Sequence, residues 1–523
     1  MASRSAAPCM VSFRGHTAPE WVLDALRRGS VGAVCLFRYN FASLEQLRAL
    51  NVSLMAAAAE GGFPPPIIGI DQEGGQLMAV TDGATELPGN MALGAVAAGC
   101  SIPTGEEAAR TTGVVLGMEL LALGCNMNFA PVLDLATRPE SDVMGVRVFG
   151  SDPDLAGRLG ARLIVGMQST GVLATAKHFP GHGDTRQDSH HGAPVIDAPL
   201  ATLARRELVP FRAAIAAGVA AIMTCHAYYP AIDPDAVGTH SRAVLGDLLR
   251  GELDFDGLVI TDALDMHAFG AMSGVERARR AVAAGADLAL LGHLEDQAEI
   301  VASLLGSADA ASSARVMAVR ERLPRELPPL AVIGSELHRE VARATSEAAV
   351  TAVRGEPRLA SLDAVLVVSV DAGDLTPAET TSGQELGLAD ALRAYVAEVT
   401  EVRFPRGANT GEVDAVVARV ARWRGARAAA GDAGEVVVAT VNASGDEAQL
   451  ALLRRLAALG ADPVLVAMRS PLDVVVADHV GRAICTYGRR TPQAEAAARV
   501  LCGQIQATGA LPVALPEGVG ARA

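Results

Sequence analysis

Short apolar runs separated by helix-like stretches recur from residue 10 to residue 293, and this alternation restricts the architecture more than any other property of the chain. The runs are MVSF (10–13), VGAVCLF (31–37), PIIGID (66–71), NMNFAPVL (126–133), VLATAKHF (172–179), AAIMTCHA (220–227), LVITDAL (258–264) and DLALLGH (287–293). Each is nearly continuous in apolar residues, as a strand covered on both faces is. Ala/Leu/Arg segments of helical period fill the gaps, among them 43–60, with Ser43 placed as its N-cap, and 241–253. Eight strands with crossovers in a span of this length fit a closed (β/α)8 barrel better than an open sheet.

The chain has 523 residues, too many for one hydrophobic core, so a second domain is expected. Residues 301–325 have helical period, 323–330 (LPRELPPL) are rich in proline, and the strand pattern then restarts with LDAVLVVSV (362–370), EVVVATVNA (435–443) and DPVLVAM (462–468), separated by helices such as 449–461. The expected α/β organisation is a barrel over 1–322, a linker over 323–345 and an αβα sandwich over 346–523.

A formal net charge of −15 without a basic stripe argues against nucleic acid as a partner. The seven cysteines are scattered, without a CxxC pair, which suits a reducing, cytoplasmic setting and no structural zinc. The first residues contain no apolar signal-peptide core. Residues 213–232 lack charged side chains for the length of a membrane span, but they are rich in alanine, contain Gly218, His226 and Pro230, and divide into a helix end and a strand.

Chemistry is concentrated in residues 172–194, VLATAKHFPGHGDTRQDSHHGAP, which hold four of the eleven histidines. Lys177 and His178 stand at a strand end, and Pro180, Gly181 and Gly183 then break regular structure among His182, Asp184, Asp188, His190 and His191. Asp71, His226 and Asp262 also fall at strand ends, where barrel enzymes place their sites. On residue type alone several readings stay open. Asp262 suits a carboxylate nucleophile or a helix N-cap, with Asp265 the better-placed cap. Lys177 suits a Schiff base, a hydroxyl-binding pair with His178, or a structural ion pair. The His/Asp loop suits a divalent metal, although no helix-borne ligand spacing is present. His226, on an apolar strand, reads as a satisfied core histidine.

The segment KHFPGHGDTRQDSH, together with IDQEGG (70–75), VMGVRVFG (143–150) and LLRGELDFDGLVITDALD (248–265), resembles the β-N-acetylglucosaminidases of glycoside hydrolase family 3. The second half resembles the sandwich of two-domain members. The resemblance implies a retaining exo-glycosidase of small carbohydrates, in cell-wall muropeptide or chitooligosaccharide turnover, with no metal or organic cofactor. It makes Asp262 the nucleophile, His190 the acid/base oriented by Asp188, and Asp71, Arg147, Lys177 and His178 sugar-binding groups. One departure stands out: members commonly continue Asp-Gln-Glu-Gly-Gly as Arg-Val-x-Arg, where this chain has Gln76 and Ala79 in place of the arginines. A glycoside phosphorylase and a sugar-binding sensor on a degenerate barrel are the rival readings. A sensor has no use for a retained nucleophile and acid/base.

Overall fold

A computed structural model describes residues 6–138, 144–185, 193–373, 375–376, 379–381, 386–432 and 434–515. Eight parallel strands form a ring: β1 (Cys9–Val11), β2 (Ala33–Leu36), β3 (Ile67–Ile70), β4 (Met127–Asn128), β5 (Leu173–Phe179), β6 (Ala221–Thr224), β7 (Leu258–Ile260) and β8 (Ala289–Leu290). Successive strands are neighbours, β1 pairs with both β2 and β8, and a bridge from Ile260 to Leu288 closes the ring. Alternation along each strand divides the apolar side chains between two cores. Met10, Cys35, Ile67, Met127, Met223, Leu258 and Leu290 fill the interior, while Val34, Ile68, Ala174, Ile222 and Val259 face the surrounding helices. The run at 126–133 pairs as a strand only over Met127–Asn128, because Pro131 cannot donate to a ladder.

Local chemistry sets the helices. Leu44–Glu60 begins at Ser43, whose hydroxyl accepts from the Gln46 N–H at 3.1 Å. The expected helix at 241–253 forms over Ala243–Glu252, with wide π-type turns. Helices Ile102–Leu123 and Pro153–Gln168 approach so closely that a Cβ on Gly166 would lie 2.0 Å from the Arg110 carbonyl oxygen. Residues 213–232 divide between helix Leu208–Ala216 and β6, and no described helix is long and apolar enough to cross a membrane.

The second unit is a six-stranded sheet: β9 (Thr351–Arg354), β10 (Ala364–Asp371), β11 (Glu398–Pro405), β12 (Glu435–Thr440), β13 (Val464–Ala467) and β14 (Arg482–Cys485), in the order β9-β14-β13-β12-β10-β11. Only β9 runs antiparallel to its neighbour. Ala364 to Val370 are all buried, so β10 is covered on both faces.

The two units share a core. Met91, Val132, Met144, Val146 and Val148 from the first half belong to the same apolar cluster as Val367, Leu388, Val438 and Val466. Helix Glu336–Ala349 packs on both Asn90–Gly99 and Thr491–Leu501. Loops beyond β10, β13 and β14 grip the hairpin of Gln72–Gly74 and Leu77–Met78 that follows β3. Thr380 N–H donates to the Gln76 carbonyl at 2.9 Å, Arg490 donates to the Gly75 carbonyl, and Arg469 Nη2 donates to Gln76 Oε1 at 2.7 Å. Gln76 is one of the two positions without the family's arginine, and a guanidinium from the second unit sits against it.

Gln76→Arg would therefore set two buried cations against each other. Stability should fall by about 2–4 kcal/mol, and Arg469→Gln in the same chain should recover most of the loss. Urea unfolding of both single variants and the double variant checks this, and simple additivity would show that the two positions are not coupled.

Candidate active site

The C-terminal ends of the barrel strands collect most of the residues singled out in the sequence. Asp71 directly follows β3, Lys177 and His178 lie within β5, Arg147 ends the 3-10 turn Gly145–Arg147, and Asp262 stands two residues past β7. Along β5, Ala174 and Ala176 pack outward on the helices. Leu173, Thr175 and Lys177 take the opposite, interior side.

Lys177 is the hub. Its Nζ lies 2.6 Å from Asp71 Oδ1 and 2.6 Å from Glu73 Oε1. Arg147 closes on the same Glu73 with two parallel bonds, Nε to Oε2 at 2.9 Å and Nη2 to Oε1 at 2.7 Å. Glu73 is absent from the sequence-derived set, yet a signal was available. It stands two residues after Asp71, so in extended backbone both carboxylates project to one side. The Asn128 side chain fixes this hairpin on β4, accepting from the Gln72 N–H at 3.0 Å and donating to the Gln72 carbonyl at 2.9 Å.

Burial alone would lift the Glu73 carboxyl, but Arg147 and Lys177 outweigh it and hold the group down at about 2. Burial would likewise lower the Lys177 ammonium, and Asp71 and Glu73 reverse the sign and raise it. A Schiff-base lysine needs a free amine at neutral pH. This one is held as a cation.

Asp134 is the second carboxylate that the sequence reading passed over, although it directly follows the NMNFAPVL run as Asp71 follows its own strand. Its Oδ2 lies 2.6 Å from His178 Nδ1, and its Oδ1 accepts from the His182 N–H at 2.6 Å. That contact places a proton on Nδ1 and leaves Nε2 toward Asp262, 3.8 Å from its Oδ2. Asp262 Oδ1 accepts from the Ala263 N–H at 2.7 Å, leaving Oδ2 as the less engaged oxygen. Burial works against its charge, and His178, His226, the Ala263 N–H and Lys177 together hold it below the usual carboxylate range.

Asp262 caps no helix. Nor does Asp265, the expected cap: the 3-10 turn His267–Phe269 follows Met266, the next α-helix, Gly274–Ala284, starts from Ser273, and Asp265 Oδ2 instead meets His293 Nδ1 at 2.9 Å. The Ser273 hydroxyl takes the capping role at that α-helix. His226 is satisfied at both nitrogens, by Thr239 Oγ1 at 2.7 Å and the Ala263 carbonyl at 3.1 Å. Among the described residues no three His, Cys, Asp or Glu side chains converge in a metal-binding arrangement.

Asp188 and His190, with His191, lie outside the described residues. Just before them Asp184 is clamped by Arg138 at 2.6 Å and Arg206 at 2.7 Å, which fixes the chain at that position.

A barrel mouth with an ionised carboxylate at one strand end and a fixed lattice of hydrogen-bonding charges across from it suits a polyhydroxylated substrate. Residues 10–325 match the glycosyl hydrolase family 3 N terminal domain. The chain belongs to glycoside hydrolase family 3. Among other members, a beta-hexosaminidase of Chromobacterium violaceum is 39% identical over 299 residues, 57% of this chain and 82% of that one. A beta-hexosaminidase of Thiobacillus denitrificans is 42% identical over 276 residues, 52% and 75% of the two chains. The structure of a family 3 β-N-acetylglucosaminidase from Paenibacillus sp. strain FPU-7 superposes with a TM-score of 0.87 at 35% identity, covering 98% of each chain. This family 3 member is thus a glycoside hydrolase whose likeness to a relative extends through both the barrel and the sandwich.

Glu73 has a folded value of about 2 against an ordinary 4.5. Its contribution to stability is complete above about pH 4.5 and is lost as pH falls toward 2. Glu73→Gln should cost about 3–5 kcal/mol at neutral pH, because it removes the carboxylate that buried Arg147 pairs with and leaves buried Lys177 with Asp71 alone. Its stability should also fall less steeply than wild type between pH 4.5 and 2, as followed by denaturant unfolding at stepped pH.

Proposed function

We propose that this glycoside hydrolase is a retaining, exo-acting enzyme that releases non-reducing-end β-linked N-acetylglucosamine through a covalent glycosyl-enzyme. The observation that carries the reading is Asp262 at the barrel mouth, kept ionised and anchored by one oxygen, with His178 and the Lys177 lattice facing it. The substrate follows from the relatives' names, beta-hexosaminidase and β-N-acetylglucosaminidase. Unpaired cysteines throughout the chain support a cytoplasmic setting, in turnover of muropeptides or chitooligosaccharides.

In this mechanism Asp262 Oδ2 attacks the anomeric carbon as the glycosidic C–O bond breaks, and the departing oxygen takes a proton from His190. The product is a glycosyl ester of Asp262. His190, now neutral, takes a proton from water as that water attacks the anomeric carbon and frees the carboxylate. Glycosidases commonly use a second carboxylate for this step. An imidazole does the same work because its ordinary pKa of about 6.5 lies near working pH, and Asp188 supports its charged form. Asp71, the more exposed partner of Lys177 (28% against 3%), accepts from sugar hydroxyls. Lys177, His178 and Arg147 donate to the sugar or hold its acceptors in place.

Asp262→Asn should fold normally and lose at least about 10³-fold in kcat on an aryl β-N-acetylglucosaminide. A variant retaining more than about a tenth of wild-type kcat removes Asp262 as nucleophile. Running the wild-type assay with and without inorganic phosphate separates hydrolysis from phosphorolysis by the product formed, free sugar or sugar phosphate.

His190→Ala should split substrates by leaving group. An aryl glycoside with an acidic phenol needs little protonation, whereas a sugar leaving group should lose about 10²- to 10⁴-fold. The variant should accumulate glycosyl-enzyme and be rescued by azide, which attacks without deprotonation. Equal loss on both substrates without rescue would move the acid/base role to another residue, with His182→Ala and His191→Ala as the next variants to assay.

A further inference from the structure

Among the described residues the Asp262 side chain accepts one hydrogen bond, from the Ala263 N–H at 2.7 Å. A carboxylate held through a single backbone donor is only as well placed as that backbone, so whatever fixes residue 263 also fixes the oxygen left to attack. The chain there belongs to no helix or strand, yet the peptide joining Ala263 to Leu264 is gripped at both ends. Its N–H donates to the Leu290 carbonyl on β8 at 2.9 Å. Its carbonyl oxygen lies 3.1 Å from His226 Nε2.

A carbonyl oxygen can only accept, so Nε2 carries a proton. Burial lowers the pKa of this imidazole below its ordinary value and keeps it neutral near pH 7, so Nδ1 is the acceptor, 2.7 Å from Thr239 Oγ1. Thr239, in the 3-10 turn Gly238–His240, lies 2.7 Å from Thr224 Oγ1 at the end of β6. The donors then run one way, from Thr224 to Thr239 to His226, and the chain ends on the Ala263 carbonyl. Thr224 and Thr239 are fully buried and His226 is 1% exposed, so sugar does not reach them.

The segment that follows is held as well. Arg277 donates to the carbonyls of Leu264 at 2.7 Å, Gly270 at 2.9 Å and Met272 at 2.8 Å. The Phe269 ring packs against both the Arg277 guanidinium, at 5.4 Å, and the His226 ring, at 4.5 Å. Ordering a loop this firmly costs conformational entropy. It serves chemistry where one atom must be exactly placed, because an error of about 1 Å at a reacting group can cost about 10²-fold in rate.

Building on the reading of Asp262 as nucleophile, we infer that His226 is a positioning residue for it. Its Nε2–H holds the Ala263 carbonyl, Thr224 and Thr239 hold His226 in that tautomer, and the turn so fixed presents Asp262 Oδ2 to the anomeric carbon.

The test separates the two ring nitrogens in the full chain. His226→Gln keeps an amide N–H that reaches as far as Nε2, whereas His226→Asn reaches only as far as Nδ1. On an aryl β-N-acetylglucosaminide kcat should fall about 10²-fold in His226→Asn, and His226→Gln should recover about tenfold of that. N-acetylglucosamine titrated against each variant should bind within about twofold of wild type, since the loss lies in the chemical step. A histidine that only supports the fold would destabilise both variants without this split. Thr239→Val, nearly isosteric, removes the hydroxyl that sets the tautomer and should lower kcat by about three- to tenfold. Equal kcat in the Gln and Asn variants, or a His226→Asn kcat within about twofold of wild type, overturns the inference. If neither His226 variant folds, Thr239→Val decides, and wild-type kcat there overturns it. Asp262→Asn run beside them tells the two failures apart. If it is inactive while the His226 variants are equal, the positioning alone is overturned; if it keeps more than about a tenth of wild-type kcat, the nucleophile reading falls and takes the positioning with it.

Discussion

A lysine ammonium shared by two carboxylates is the interaction from which the rest of this molecule takes its form. Lys177, Asp71, Glu73 and Arg147 alternate in sign, and all but Asp71 are buried. An isolated ion in such a place would cost several kcal/mol in lost hydration, and only close pairing with bonds on every side offsets it. The scaffold must then deliver four groups from three separate segments to within hydrogen-bond distance. A closed barrel does so because each strand end points into one small opening. The same lattice suits chemistry on a sugar: its charges are fixed before substrate arrives, so no reorganisation is needed as charge develops at the anomeric carbon.

Most of the barrel could be read from the chain because its strands are buried on both faces and are written as continuous apolar runs. All eight runs contain or overlap an observed strand, although β4 and β8 shrink to two residues each. Where one face of a strand meets polar surroundings the signal faded. β11, Glu398–Pro405, mixes charged and apolar residues, and β9 and β14 are short and each carries an arginine, so all three were missed. The site followed the same logic. Asp71, Lys177, His178 and Asp262 sit at ends of apolar runs and were visible as such. Glu73 and Asp134 were not singled out because their importance lies in partners 74 and 44 residues away in the chain. Asp265 was misread as a cap because its real partner, His293, lies just past the next strand. Local chemistry shows which residues are unusual, and topology decides which of them meet.

The second unit extends the same economy of pairing. The position where the family commonly has an arginine carries Gln76, and Arg469 supplies a guanidinium there from the other side of the interface. Glu379 and Asn442 then share that cation, so it remains partnered despite burial. The apolar cluster around Met144, Val146 and Val466 supports the turn that carries Arg147. The sandwich therefore does more than cover one side of the barrel: it helps set the position of Arg147, one of the groups proposed to hold the sugar.

That grip has a thermodynamic consequence. The hairpin held by Arg469, Arg490 and Thr380 begins at Gln72, between Asp71 and Glu73. With Asp71 binding sugar as proposed, docking of the sandwich and occupancy of the sugar pocket are linked equilibria acting on one short segment. Linkage is reciprocal: whatever the interface adds to sugar affinity by holding the hairpin in place, bound sugar returns to the interface in equal measure. In a chain built this way the substrate is also part of the mortar between the domains.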